Sequence, residues 1–307
     1  MRMLARALAL AATALVPLAA QAQDSRLERL TTRADVMGFE AVGRIDLPAG
    51  DGAFCSGALI APDLVLTAAH CLIHPRTGEP MPPAEMTFRA GFRDGAAIAE
   101  RSGLRAVVHP DYAGDDPDGL RQLRTDVGLL VLAEPIQSSD AAPFALAPAP
   151  GTGGEVSVVS YARERSEAPA WQRACGVSVQ GQGVLLMTCD THFGSSGAPV
   201  FETTSGRPRI VSLISRGAKD GADTLVWGME IEPVVAEVKA ALRANRGVWP
   251  EAEGATARRL GIAEGGLAQN DAGTSGLNTS GLNRGGALNG GGALNRGGAS
   301  GALFVRP

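Results

Sequence analysis

Between Phe39 and about Asn245 the chain reads as short apolar runs broken by Gly, Pro, Asp and Asn. Such runs predict strands over residues 40–47, 54–60, 64–67, 86–91, 104–109 and 127–132. After a Pro/Ala-rich connection at 143–150, further strands are predicted over 154–161, 176–187, 198–201, 209–215 and 224–231. Many short strands, frequent turn residues and almost no helical periodicity point to an all-β sandwich or barrel, which the connection divides into halves of comparable size. One helix stands out. Pro233 suits a first helical position, and Val234, Val235, Val238, Ala241 and Leu242 recur at the spacing that lines one helical face with apolar groups. That face suits a helix capping the end of a β unit.

The two ends of the chain have a different character. Arg2 and Arg6 precede an apolar run from Ala7 to Ala19, and Ala20-Gln21-Ala22 supplies the small-x-small pattern of signal peptidase cleavage. The run is shorter than the roughly 20 apolar residues a membrane span needs. Residues 1–22 are therefore expected to be a signal peptide, with an anchored N-terminal helix as the competing reading, and the protein to be secreted or periplasmic without a membrane span. Residues 23–35 are polar and charged, a leader or loosely held N-terminal arm. From Gly265 to Gly301, 13 of 37 residues are Gly, and Leu277, Leu282, Leu288 and Leu294 recur every five or six positions. Three short copies cannot bury a solenoid core. Residues 247–307 are thus expected to form a flexible Gly/Asn-rich tail with an apolar tip at Phe304, leaving 36–246 as the folded unit.

Charge and cysteine content narrow the picture further. Loss of Arg2 and Arg6 takes the net charge from −4 to −4 − 2 = −6, and no clustered basic surface for nucleic acid is expected. Cys55, Cys71, Cys175 and Cys189 allow three pairings in an oxidising compartment. They fall into two local pairs in different halves, so Cys55–Cys71 and Cys175–Cys189 are the expected disulfides. Zinc ligation is the alternative, but the spacings contain no C-x2-C or H-x3-H unit.

Three segments carry chemistry. "AFCSGALIAPDLVLTAAHC", Ala53 to Cys71, predicts a strand, a turn at Pro62-Asp63, a second strand and then His70, an imidazole held beside a stapled hairpin as a general base must be. "CDTHFGSSGAPVF", Cys189 to Phe201, allows a tight turn that exposes the Ser196 hydroxyl and aims the amides of Gly194 and Ser196 at one point, where an oxyanion would sit. "RTDVGLLVL" places Asp126 just before an apolar strand, where its carboxylate can fix the imidazole tautomer. Asp111, Asp115, Asp116 and Asp118 compete for that role from a Gly/Pro-rich stretch that reads as a solvated loop, with calcium binding as its alternative.

"LTAAHC", "TDVGLLVL" and "GSSGAP" resemble the three signature segments of the chymotrypsin/trypsin-like serine peptidases, and the similarity extends over about residues 36–246, including "RIVSLISRG" and the final helix. The resemblance implies two six-stranded antiparallel β-barrels with a C-terminal helix, and a His70–Asp126–Ser196 triad in the cleft between them. It implies an oxyanion site at Gly194 and Ser196, and a substrate-pairing strand at Ser215-Arg216-Gly217. It also implies a monomeric endopeptidase acting on protein or peptide substrates, with no cofactor and no metal. The chain departs from the digestive members in three respects: no clean IVGG start exists, Val36-Met37-Gly38 being its nearest likeness, and two single residues differ. Ser195 replaces the Asp that binds the new N-terminus after zymogen cleavage, so activity is not expected to require one particular N-terminal residue, and Arg216 replaces the aromatic residue usual beside the substrate strand. The combination is closer to bacterial exported branches that include the glutamyl endopeptidases. Two signals compete for the primary pocket. Asp190, six residues before Ser196, stands where trypsin-like members select Arg or Lys. Thr191 matches a pocket residue of the glutamyl endopeptidases, but Ile214 stands where those enzymes carry a substrate-binding His. A non-catalytic binding protein on the same scaffold is the alternative from another class. A third reading, an α/β-hydrolase, needs a G-x-S-x-G elbow that residues 194–198 do not supply.

Overall fold

The computed structural model describes residues 27–250, apart from 51, 205, 221 and 222. The expected signal peptide and the expected tail beyond residue 250 lie outside them. In chain order the elements are β1 (Glu28–Arg29), β2 (Val42–Asp46), β3 (Phe54–Ala61), β4 (Leu64–Thr67), β5 (Thr87–Ala90), β6 (Ala99–Val108), α1 (Gly119–Thr125) and β7 (Gly128–Leu132). The second half contributes β8 (Glu155–Ala162), β9 (Arg165–Gly181), β10 (Val184–Met187), β11 (Pro199–Glu202), β12 (Arg209–Leu213), β13 (Arg216–Asp220), β14 (Asp223–Met229) and α2 (Ile231–Arg243). Among the described residues no helix is long and apolar enough to cross a membrane.

The first half closes into a six-stranded antiparallel barrel in the order β2-β3-β4-β7-β6-β5, with β2 pairing β5 to complete the ring. Closure removes the exposed strand edges that would otherwise pair with other chains. β4 and β7 are buried at every position because one face fills the barrel and the other packs outside it, so "LVLT" and "GLLVL" run apolar without alternation. Ile45, Leu59, Val65, Phe88, Leu129 and Leu130 are each fully buried.

The second half is a half-barrel sheet in the order β12-β11-β8-β9-β10-β14-β13, with β1 added beside β9. Its hydrogen-bonded path leaves β12 and β13 as edges instead of closing a six-strand ring. The predicted strand 176–187 is two strands, β9 and β10, joined at Gln182-Gly183, both at positive φ (53° and 77°), as a tight hairpin turn requires. β9 also begins eleven residues earlier, at Arg165. Its N-terminal part, "RSEAPAWQRA", carries charges and Pro169, which hid the strand; the β8–β9 register slips between Ser160 and Ala162, close to where the proline sits. α2 starts at Ile231, two residues before the predicted Pro233, which is tolerated because amides of the first turn have no helical partner.

The packed unit is wider than 36–246. Glu28 and Arg29 pair with Trp171 and Ala170, the Leu30 amide donates to the Pro169 carbonyl at 2.9 Å, and Leu30 and Val36 are each 1% exposed. The N-terminal arm is therefore docked from residue 28 onward, not loosely held. At the other end Trp249 exchanges both backbone hydrogen bonds with Ala106, and its indole N–H donates to the Met81 carbonyl at 2.9 Å. Single apolar residues set in polar surroundings carry no periodicity, which is why neither contact was predicted. Leu30→Ala is expected to lower stability by about 2–4 kcal/mol, measured as a shift in denaturant midpoint. A shift of a few tenths would mean that the arm is not part of the cooperative unit.

Candidate active site

Antiparallel pairing brings His70 and Asp126 together. Thr67, the last residue of β4, faces Gly128, the first of β7. His70 lies three residues beyond one and Asp126 two before the other, so both fall at the same rim of the barrel. A 3-10 turn at Ala69–Cys71 orients the imidazole, and the Cys55–Cys71 disulfide ties that turn to β3. His70 Nδ1 lies 2.8 Å from Asp126 Oδ2, and the His70 backbone N–H donates to Oδ1 at 3.0 Å. The Ser215 hydroxyl, from the second half, donates to Oδ2 at 2.5 Å. Asp126 is only 4% exposed. Burial alone would raise its pKa, but the charge of His70 and the hydrogen bonds from the His70 ring, the Ser215 hydroxyl and the His70 backbone outweigh it. The carboxyl is held below the usual carboxylate range. Burial, then the negative charge of Asp126, pushes the nearby Tyr112 phenol upward.

With a carboxylate at Nδ1, that nitrogen carries the proton and Nε2 is left as the acceptor. Nε2 is buried and engages no hydrogen-bond partner. It shares one cleft of about 840 Å³ with Ser196 and Gly194. The Ser196 loop is shaped by Gly194 (φ 96°) and Gly197 (φ 75°), both in the left-handed region. A Cβ at 194 would strike the Phe54 ring, and one at 197 the Thr67 hydroxyl and the Ser56 carbonyl. Within this loop the Ser195 amide donates to His192 O, Gly197 to Ile214 O and Ala198 to Ser195 O. The amides of Gly194 and Ser196 donate to nothing among the described residues. Two unengaged donors beside a serine are what an oxyanion site needs.

The remaining predicted residues are distributed unevenly. Burial alternates along Cys189, Asp190 and Thr191, leaving Asp190 exposed, with its amide donating to Gln172 Oε1 at 2.6 Å. Asp190 is thus not a carboxylate at the base of a desolvated pocket. Thr191 is fully buried, while Ile214 packs in the core of the second half and meets the nucleophile loop through its backbone. Ser215 touches Asp126. Arg216 and Gly217 open the edge strand β13, and the Arg216 guanidinium donates to Gln122 Oε1 at 2.5 Å. Cys175–Cys189 forms as expected, holding β9 to the start of the nucleophile segment.

The acidic stretch is more ordered than a solvated loop. Asp118 caps α1 by accepting the Leu120 and Arg121 amides, and the Asp116 carboxylate, its side chain 1% exposed, takes Arg121 at 2.6 Å. Asp111, Asp115, Asp116 and Asp118 do not serve His70. Ser56 is the residue that sequence reasoning missed. Fully buried in β3, it donates its amide to the Ser196 carbonyl at 2.9 Å and its hydroxyl to the Gly194 carbonyl at 2.9 Å. A serine next to cysteine in an otherwise apolar strand was the available signal.

A closed barrel and a half-barrel sheet that each give part of one such site place the molecule in the chymotrypsin-like two-barrel class. Solved structures of that class share its fold. A Glu endopeptidase in complex with MPD matches with a TM-score of 0.57 at 17% identity, over 71% of this chain and 97% of that one. The protease Anisep from Arthrobacter nicotinovorans matches with a TM-score of 0.54 at 17% identity, over 67% and 96%. Residues 55–208, half of the chain, match the family model of the trypsin-like peptidase domain, and the chain belongs to that family. A glutamyl endopeptidase of Bacillus licheniformis is 29% identical over 156 residues, 50% of this chain and 46% of that protein.

Because the folded pKa of Asp126 is depressed, its contribution to stability is complete above the unfolded value of about 4 and is lost as pH falls through the folded one. Below about pH 4.5 the wild-type denaturant midpoint should fall more steeply than that of Asp126→Asn. Parallel slopes would show that this carboxyl does not titrate against folding.

Proposed function

We propose that this protein is an exported serine endopeptidase, hydrolysing peptide bonds through an acyl-enzyme with His70, Asp126 and Ser196 as its triad. The observation that carries the reading is the convergence in one cleft of an Asp126-oriented imidazole with a free Nε2, the Ser196 side chain and the two unengaged amides of Gly194 and Ser196. Ser196 Oγ attacks the scissile carbonyl carbon while Nε2 takes its proton. Asp126 keeps the Nδ1–H tautomer and stabilises the imidazolium. The carbonyl oxygen, now negative, is held by the two amides, each of which is worth about 10²–10³ in rate. Nε2 then protonates the leaving amine, and water repeats the sequence on the acyl-enzyme. The acyl side of the substrate adds as a strand to the open edge at Ser215-Arg216-Gly217.

The likeness to a glutamyl endopeptidase is read as one of scaffold and not of pocket, since Ile214 is committed to the core and Thr191 alone matches that pattern. Two disulfides suit an oxidising compartment, and with the expected signal peptide they support export. Ser195 supports a further reading. Its hydroxyl donates to the Tyr161 carbonyl at 3.1 Å inside a fully buried polar cluster, leaving no carboxylate for a freed N-terminal ammonium to neutralise. Chains beginning at residues 23 and 27 are therefore expected to turn over equally; strict dependence on one start would refute this.

The triad is tested with a fluorophosphonate and a peptide substrate. Ser196→Ala should abolish both labelling and turnover in a folded protein, and Asp126→Asn should lower kcat by about 10³–10⁴ through the wrong tautomer. Labelling that survives Ser196→Ala, or a wild type that neither labels nor turns over, overturns the assignment.

A further inference from the structure

The cleft that contains Ser196 and His70 is not lined by the β13 edge. It runs past Phe54, the Cys55–Cys71 disulfide, Arg44, Arg163 and Phe193, and none of Ser215, Arg216 and Gly217 lines it. If the acyl part of a substrate lies along β13, as the proposed function holds, this cleft receives the residues on the leaving-group side of the scissile bond.

Two arginines face that space, and their states differ. Arg44 is already paired with acids: its Nε is 2.6 Å from Asp46, its Nη1 donates to the Ser166 carbonyl at 3.0 Å and lies 3.4 Å from Glu167, and its guanidinium sits 4.8 Å from the Phe54 ring centre. Arg163 has no carboxylate partner among the described residues. It occupies the exposed two-residue turn between β8 and β9, where Ala162 pairs with Arg165. Its backbone N–H donates to the Phe193 carbonyl at 2.7 Å, and its guanidinium lies 5.3 Å from the Phe193 ring centre. The acids nearest in sequence are occupied, Glu164 beside His192 at 3.7 Å and Glu167 beside Arg44. A guanidinium resting on an aromatic face keeps its donors free for an incoming anion. Phe193 adjoins Gly194, so the cation is carried by the loop that presents the oxyanion amides.

We propose that Arg163 selects an acidic side chain at the first or second residue on the leaving-group side of the scissile bond. This rests on the endopeptidase reading and adds the charge class of that side of the substrate. The ion pair forms at an exposed residue, so the selection is modest and sensitive to salt.

The experiment compares kcat/KM for peptides identical except for Glu, Gln or Lys at each of the two positions. An exposed ion pair predicts that wild type favours Glu by about three- to fivefold over Gln and about tenfold over Lys, with the ratios shrinking as salt is added. Arg163→Gln should remove the preference, and Arg163→Glu should turn it toward Lys. Equal values for the three peptides, or a Glu preference that survives in Arg163→Gln, overturns the proposal. A 4-nitroanilide of the same acyl sequence, which has no residue beyond the scissile bond, keeps the two readings apart. If wild type hydrolyses it while the peptide series is flat, only the role of Arg163 fails; if wild type hydrolyses neither, the endopeptidase reading fails as well.

Discussion

Ser56 is the point at which the two halves of the molecule are locked in register. Its three hydrogen-bonding groups make four bonds to four different places. The amide reaches the Ser196 carbonyl, the hydroxyl donates to the Gly194 carbonyl and accepts from the Tyr161 amide at 3.0 Å, and the carbonyl accepts the Thr67 hydroxyl at 2.9 Å. Thr67 ends β4, three residues before His70. One buried serine of the first barrel therefore holds the Ser196 loop of the second half and is tied to the strand that leads to the imidazole. Removing the hydroxyl strands a buried amide and a buried carbonyl, at about 1–3 kcal/mol for each group left unpaired. The cost falls on the alignment of the site as well as on stability.

Asp126 makes a second tie by a different route. A carboxylate taken out of water is tolerated only when it is paired and hydrogen-bonded. Two of its donors come from His70 in the first barrel, and the third is Ser215 in the second half. Both polar ties therefore end at the reaction centre, and an apolar seam supports them. Phe39 packs on Trp171 and Phe201 at 4.9 and 5.5 Å, and Phe144 on Phe201 at 4.8 Å. Tilted ring pairs of this kind add to their area burial and resist sliding. The halves behave as one body because polar alignment at the cleft and ring packing behind it oppose the same displacement.

What could be read from the sequence follows from how local each signal is. β3, β4 and β7 were visible because their apolar runs are continuous, and the two disulfides because each pair is close along the chain. His70, Asp126 and Ser196 were visible as segments, each with its own flanking pattern. Ser56, Thr67 and Ser215 were harder to see as positioning groups, because their partners lie up to 140 residues away and a small polar residue in a strand does not name its partner. The short helix α1 was hidden for a related reason: seven residues give too few turns for periodicity to register, although Asp118 sits at the capping position. For Asp190, spacing from Ser196 suggests a pocket residue, but spacing does not specify which way a side chain faces, and the side chain is exposed between the buried Cys189 and Thr191.

The two sides of the cleft are built from different materials, and this bears on which of them can change without disturbing the chemistry. On the proposed reading the acyl side is the edge of β13, where recognition is carried by backbone groups that almost any side chain preserves. The proposed leaving-group side is made largely of side chains, among them Arg44 of β2, Phe54 of β3 and Arg163 of the β8–β9 turn. In that turn the attachment to the nucleophile loop is again backbone, Arg163 N–H to Phe193 O, while Ala162 packs against Gly194. Any residue except proline at position 163 keeps the amide donor. The side chain there is free to vary in charge because the geometry beneath it does not depend on it. Gly194 and Gly197, whose Cβ positions are already occupied by neighbours, have no such freedom. On that reading selectivity resides at an exposed turn tip and reaction geometry at the glycines and serines of the loop beneath it, a division that follows from which atoms are already engaged.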